Sequence, residues 1–202
     1  AYERRHTVGG RLFGKSAGFD WDVEGAYQFG TFGAGGIDAW TVSGEGGYTF
    51  EQLPWAPRLG VRAAVATGDR GRPNEPLGTF NPMFPRLPYF SEASVIAPMN
   101  LMDVAPSLTL SPAKDVKLSV TWDFLRKNRA ADAVYNSTLT PFDGTAGGSS
   151  DIGQMFQVVG EWQATRELTL RAAYVHFFAG RAMTQAGGRD IDFSMVSAAL
   201  KF

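Results

Sequence analysis

Cysteine is absent from the 202 residues, so neither a disulfide framework nor a thiolate metal site is available. Histidine occurs only at His6 and His176. No Ser/His/Asp arrangement or His-rich spacing accompanies either one, which argues against nucleophilic catalysis and against zinc; no catalytic residue, metal or cofactor is expected. Net charge is −1 and gives no electrostatic argument for nucleic acid or for an anionic membrane surface. No apolar run approaches the roughly 18–20 residues of a transmembrane helix. A spanning role therefore requires a closed β-barrel, the other arrangement that satisfies every backbone polar group in lipid. The chain opens without a basic and apolar leader, and any signal peptide is expected to have been removed or to lie upstream.

What is abundant is glycine, at 24 residues, and aromatics, at 13%, against an ordinary mean hydropathy of −0.14. The aromatics are ordered. In the stretch 19–29, Phe19, Trp21, Val23, Tyr27 and Phe29 share one parity, and Asp20, Asp22, Glu24 and Gln28 share the other. Successive strand side chains point to opposite faces, so this segment has one apolar and one charged face. A soluble sandwich strand alternates in the same way. Aromatics at both ends of the apolar face, however, suit the two interfacial girdles of a membrane barrel with a polar lumen.

The same period-2 pattern predicts about nine strands along the chain. They are placed at 4–14, 19–29, 38–50, 58–68, 101–111, 116–126, 152–163, 168–180 and a last strand ending the chain with Val196, Ala198, Leu200 and Phe202 in phase. Pro106 weakens the fifth, because proline cannot donate to the ladder. Connections before strands two, four, six and eight are short, whereas those before three, five, seven and nine are variable and sometimes long. That is the up-and-down pattern of an outer-membrane barrel, with short periplasmic turns and longer extracellular loops. The longest loop, 69–100, is rich in Pro and Phe; Phe80, Phe84, Tyr89 and Phe90 suggest an ordered segment that packs on something. Nearly every mid-strand charge falls opposite the aromatics, as a bilayer would enforce when a lipid-facing charge at mid-depth costs ~2–4 kcal/mol. The expected fold is all-β: an antiparallel up-and-down transmembrane β-barrel, a single domain over 1–202. Phe202 looks like the C-terminal aromatic signature that the barrel assembly machinery reads.

Several segments resemble the alginate-export family of bacterial outer-membrane porins. They are Asp22-Val23-Glu24-Gly25-Ala26-Tyr27-Gln28-Phe29-Gly30, Gly47-Tyr48-Thr49-Phe50, Thr67-Gly68-Asp69, Thr79-Phe80-Asn81-Pro82-Met83-Phe84-Pro85, Asn100-Leu101, Asp132-Ala133-Val134-Tyr135 and His176-Phe177-Phe178-Ala179-Gly180. Their order and spacing carry the likeness, which spans most of the chain. The resemblance implies a monomeric barrel in the bacterial outer membrane that passes an anionic polysaccharide through an arginine-lined lumen. It also implies about twice as many strands, some 18, so this sequence is expected to be the C-terminal half of a longer chain; nine is odd, whereas bacterial single-chain barrels have even numbers. Two departures put alginate itself in question. Met155 and Gln157 stand where the family tends to have acidic residues, and the turn 164–167 is too short for the periplasmic plug of the alginate exporter.

On the lumen parity lie Arg5, Arg11, Arg58, Arg62, Lys117, Arg171 and Lys201, against Asp20, Asp22, Glu24, Glu45, Asp103, Asp123 and Glu161. Two readings stand side by side. Arginine rings favour anions, and guanidinium forks suit the carboxylates of a uronate polymer. Alternatively, opposite charges on neighbouring strands pair and stiffen the wall. Arg11, Arg62 and Arg171, mid-strand, are the residues singled out for solute contact. The acidic row Asp20, Asp22 and Glu24 is read as counter-charge to neighbouring arginines such as Arg11, not as a hydrolytic pair or calcium site. The function expected is a passive outer-membrane pore for an anionic polysaccharide or smaller anionic solutes. A general or substrate-specific small-solute porin is the competing expectation. A barrel lipase would need a lipid-facing Ser/His pair that is not identifiable, and a lipocalin-like binder would need a less charged interior.

Overall fold

A computed structural model describes residues 2–83 and 90–202. Nine strands form one sheet in sequence order. They are β1 (Glu3–Ser16), β2 (Phe19–Phe32), β3 (Gly35–Thr49), β4 (Arg58–Ala66), β5 (Leu101–Ala113), β6 (Val116–Lys127), β7 (Asp151–Gln163), β8 (Leu168–Ala179) and β9 (Ile191–Leu200). Every neighbouring pair is antiparallel. The strands run from 9 to 15 residues, enough for the ~9–11 residues of a tilted bilayer crossing. No pairing joins β1 to β9 among the described residues, so the sheet has two open edges. It nonetheless curls: residues of β1 and of β9 line one common cavity.

The register carries the parity across the whole sheet. Phe19 faces Tyr48 and Tyr48 faces Leu59, so one outward row is continuous over three strands. The outward face stays bare, with Leu12 70%, Val61 50% and Val104 50% exposed. An apolar surface on this scale needs an apolar environment, which lipid supplies. Its outward polar groups, such as Asp38, Gln154 and Asp192, gather at the end of the sheet that bears the long loops. They serve the aromatic belt there: the Tyr174 hydroxyl donates to Asp192 at 2.6 Å and the Trp122 indole to Gln154 at 2.9 Å. At the opposite end the Trp162 indole donates to Asp115 at 3.0 Å. Rings with an apolar body and a satisfied polar tip belong at a membrane–water boundary.

Some boundaries differ from the alternation reading. The β1–β2 turn is reduced to Ala17-Gly18, with φ of 50° and 84°, the left-handed pair that matches strand twist in a tight hairpin. The β2–β3 connection is equally short, residues 33–34, and is therefore a tight turn at the long-loop end. β9 starts at Ile191 and ends at Leu200, leaving Lys201 and Phe202 beyond the strand. Its first half was obscured because outward Asp192 and Ser194 interrupt the apolar parity. Pro106 sits inside β5, opposite Val61 of β4. The β5–β6 ladder passes over Ala105 and Pro106 and resumes in the same register at Ser107, so the missing donor is absorbed locally.

The described parts of the connection 67–100, and the connection 128–150, fold back onto the concave face instead of standing clear of it. There Phe90 and Ile96 of the first pack with Val134 of the second on Leu101, Leu125, Met155, Val175 and Phe177, all from inward strand positions. Of the four aromatics expected to pack, Phe80 and Phe90 are buried; Phe84 and Tyr89 lie outside the described residues. Ala182 and Met183 of a four-residue helix, α1 (Arg181–Thr184), close the same core.

Polar groups knit the two loops together. Asp132 accepts hydrogen bonds from the Asp69 amide at 2.8 Å, the Thr79 hydroxyl at 2.6 Å and the Tyr135 hydroxyl at 2.8 Å. Burial, together with the Asp132 carboxylate, pushes the Tyr135 phenol well above its usual range, so it remains a donor. Buried Asn100 donates to the Arg129 and Ala133 carbonyls and accepts from the Arg129 amide at 2.7 Å. A Cβ on Gly68 would stand 1.9 Å from the Asn100 side-chain oxygen, so the close approach requires glycine. Lys127, 1% exposed, donates its ammonium to the carbonyls of Ala130, Thr145 and Gly147 at 2.7–2.9 Å and to Asp132 at 3.3 Å. Lys127→Met strands those carbonyls and is expected to destabilise the 128–150 loop by about 2–4 kcal/mol, given the strength of charge-assisted hydrogen bonds. Limited proteolysis at Arg129 checks it: cleavage should be faster in the variant and slow in the parent protein.

Candidate functional site

A cavity of about 1120 Å³ occupies the concave side. Its wall comes from β1–β4 on one flank and β8–β9 on the other, and its cover from Phe80, Pro82, Met83, Glu92 and Pro98 of the inward loop. Described parts of the loop are anchored on both flanks. Near β1 and β2, the Asn81 amide donates to Gln28 at 3.0 Å, and Gln28 donates back to the Asn81 carbonyl at 2.6 Å. Arg5 donates to Gln28 at 2.7 Å and to the Thr79 carbonyl at 3.1 Å. Near β7 and β8, the Glu92 amide donates to Gln157 at 2.9 Å, and the Glu92 carboxylate pairs with Arg171. The described parts of the loop therefore lie over the concave face and are anchored to both flanks.

Six of the residues expected to line a pore do line this cavity: Arg11, Arg62, Arg171, Asp22, Glu24 and Glu45. Each of the three arginines is engaged. Arg11 forms a two-bond fork with Asp22, donating from Nε at 2.7 Å, and lies 5.1 Å over the Phe13 ring. Arg62 donates from Nε to Asp103 at 3.0 Å, pairs through its other arm with Asp123, and stacks 5.3 Å over Phe90. Arg171 contacts Glu92 and, more loosely at 3.5 Å, Glu161. Glu24 stands opposite Arg11 in the register and forms no ion pair among the described residues.

The remaining expected residues lie elsewhere. Arg58 clamps Asp20 with bonds of 2.8 and 2.5 Å and reaches Glu45 at 3.3 Å, packed into the space that Gly47 and Gly60 leave open. Asp123 is fully buried behind Arg62 and offers no surface to a solute. Lys117 faces Glu161 across the β6–β7 ladder but is exposed and forms no ion pair among the described residues. Met155 is buried in the apolar core and Gln157 holds the loop, so both positions that depart from the family pattern serve loop seating. Glu92 was not foreseen, because nothing local in a loop sequence tells which strand it will touch. No group of three or more His, Cys, Asp or Glu side chains is arranged to hold a metal among the described residues.

The family model described as alginate export matches residues 1–197. The chain belongs to the alginate-export family. Among curated proteins no match was found. Membership makes this an outer-membrane transport protein of a porin type, in keeping with an all-β sheet and with the absence of any long apolar helix among the described residues. It also gives the resembling segments a physical role. Thr67-Gly68-Asp69, Thr79, Asn100 and Asp132–Tyr135 are the residues that tie the two inward loops together, whereas the cavity charges lie largely outside them.

Arg62 is the link between wall and loop whose loss has the clearest consequence. Asp103 and Asp123 have side chains with no exposed surface, and each keeps one oxygen without a hydrogen-bond partner among the described residues. Arg62→Met leaves two buried carboxylates facing each other, expected to cost about 3–5 kcal/mol. The triple change Arg62→Met, Asp103→Asn and Asp123→Asn should recover most of that loss. Urea titration of the reconstituted protein followed by tryptophan fluorescence compares the variants; equal midpoints for single and triple variants would refute the charge argument.

Proposed function

We propose that this protein forms a passive outer-membrane pore for export or diffusion of an anionic polysaccharide of the alginate type, or of smaller anionic solutes. The observation that carries this reading is the cavity under the inward loop, where Arg11 and Arg171 present guanidinium groups beside a water-accessible space. Planar guanidinium groups recognise carboxylates through paired hydrogen bonds, and uronate units offer one carboxylate per sugar ring. Exposed hydroxyl and carboxylate acceptors on such a polymer also suit an irregular polar wall. Arg62, held by two buried aspartates, contributes field and stiffness more than contact.

One observation favours the alternative of a general small-solute porin. The cavity wall carries Asp22, Glu24, Glu45 and Glu92 against three arginines, which is close to charge balance. Rings of one sign set strong selectivity, and a mixed wall sets weak selectivity. Reversal potentials of the complete protein in a planar bilayer under a salt gradient separate the two. Anion preference supports the first reading, and near-zero preference the second. In the anion-selective case, neutralising Arg11 and Arg171 together (R11Q/R171Q) should move the reversal potential toward cations with conductance retained. An unmoved potential removes both residues from solute contact, and no conductance at all from the parent protein overturns the pore reading.

A further inference from the structure

Arg171 on β8 is an anion-binding group that the protein fills with its own carboxylate. Its Nη2 pairs with one oxygen of Glu92, its Nη1 reaches Glu161 only at 3.5 Å, and its Nε is buried without a hydrogen-bond partner among the described residues. A guanidinium offers two adjacent donors to one carboxylate, and the fork of Nε and Nη2 is the stronger arrangement. Glu92 takes half of it. Arg11 shows the full form in the same lumen, with both Asp22 oxygens engaged by Nε and Nη2.

Glu92 comes from a segment that is itself firmly seated. Its amide is held by Gln157 at 2.9 Å, and Phe90 and Ile96 on either side are buried in the apolar core. The neighbouring Ser91 hydroxyl is buried and likewise lacks a partner among the described residues. The backbone is thus pinned while the Glu92 side chain ends at the cavity, which both Glu92 and Arg171 line. The side chain of Glu92, not its backbone, is therefore the part of this segment that a solute would displace.

We propose that Glu92 is an internal competitor for the carboxylate site on Arg171: a carboxylate-bearing solute displaces the Glu92 side chain and takes Nε and Nη2 together, whereas a neutral sugar cannot. This rests on the pore reading above and specifies how Arg171 discriminates between solutes. Chloride has no pair of coplanar oxygens, so the competition favours carboxylates over halides. It also sets affinity. A site that is free only part of the time binds more weakly by that fraction, which keeps a transported solute from lodging in the pore.

The test is block of single-channel current in the complete protein by sodium glucuronate, with glucose and sodium chloride as controls. E92Q is expected to lower the half-blocking concentration of glucuronate about tenfold, as when the competent fraction in the parent is roughly a tenth. Glucose should not block either protein, and R171Q should abolish glucuronate block in both the parent and the E92Q background. A conducting E92Q protein with unchanged glucuronate block would overturn the competition, and so would block that persists in R171Q. Equal gains for glucose and glucuronate in E92Q would also overturn it, by reporting a wider pore. Failure of the parent protein to conduct would instead count against the pore reading.

Discussion

A strand in a bilayer has no water to satisfy its backbone, so each N–H and C=O must find a neighbouring strand, and each side chain must then choose between lipid and lumen. That constraint organises this molecule. It explains strands of 9 to 15 residues, a sheet that pairs strictly in sequence order, and an outward face kept free of mid-depth charge. It also explains where the exceptions go. Asp38, Gln154 and Asp192 point outward only at the level of the aromatic belt, where Tyr and Trp tips supply partners and headgroups supply water.

The concave face obeys a different rule at each end. Toward the short turns it is a network of paired charges, Arg58 with Asp20 and Glu45, and Arg11 with Asp22. Toward the long loops it turns apolar, with Met155, Val175 and Phe177 beneath Phe90, Ile96 and Val134. An inward loop is costly to order, and an apolar seat offsets that cost where a charged wall would not. The hydrogen bonds of Asp132, Asn100 and Lys127 then select one arrangement of the two loops, because each group would be buried and unsatisfied in any other. The loop seat is as much a folded core as the strands are.

The proposed function rests on the junction of these two zones. Arg62 and Arg171 sit where wall meets loop, and both bond to carboxylates that come from distant parts of the chain. Arg62 lines the cavity but is held by Asp103 and Asp123, whose side chains have no exposed surface. Arg171 is closed off by Glu92, a loop residue that still borders the cavity. Residues of the same type on the same face thus take different roles according to what covers them.

The strands and their two faces were legible in the sequence because period-2 alternation is local: Phe19, Trp21 and Val23 declare their side without reference to any partner. The expected lining residues Arg11, Asp22 and Glu45 follow from that parity alone. What the alternation left open is pairing, since Arg62 meets a partner 61 positions away and Arg171 one 79 positions away. Parity likewise put Arg171 on the inner face without saying that loops would cover Val175 and Phe177 farther along the same strand. The sequence by itself determined which side chains face lipid, because a strand's geometry leaves no choice once one face must be apolar. Only the tertiary structure decided which inward charges are tied up and which border open space, because that depends on loops whose path is set by long-range burial.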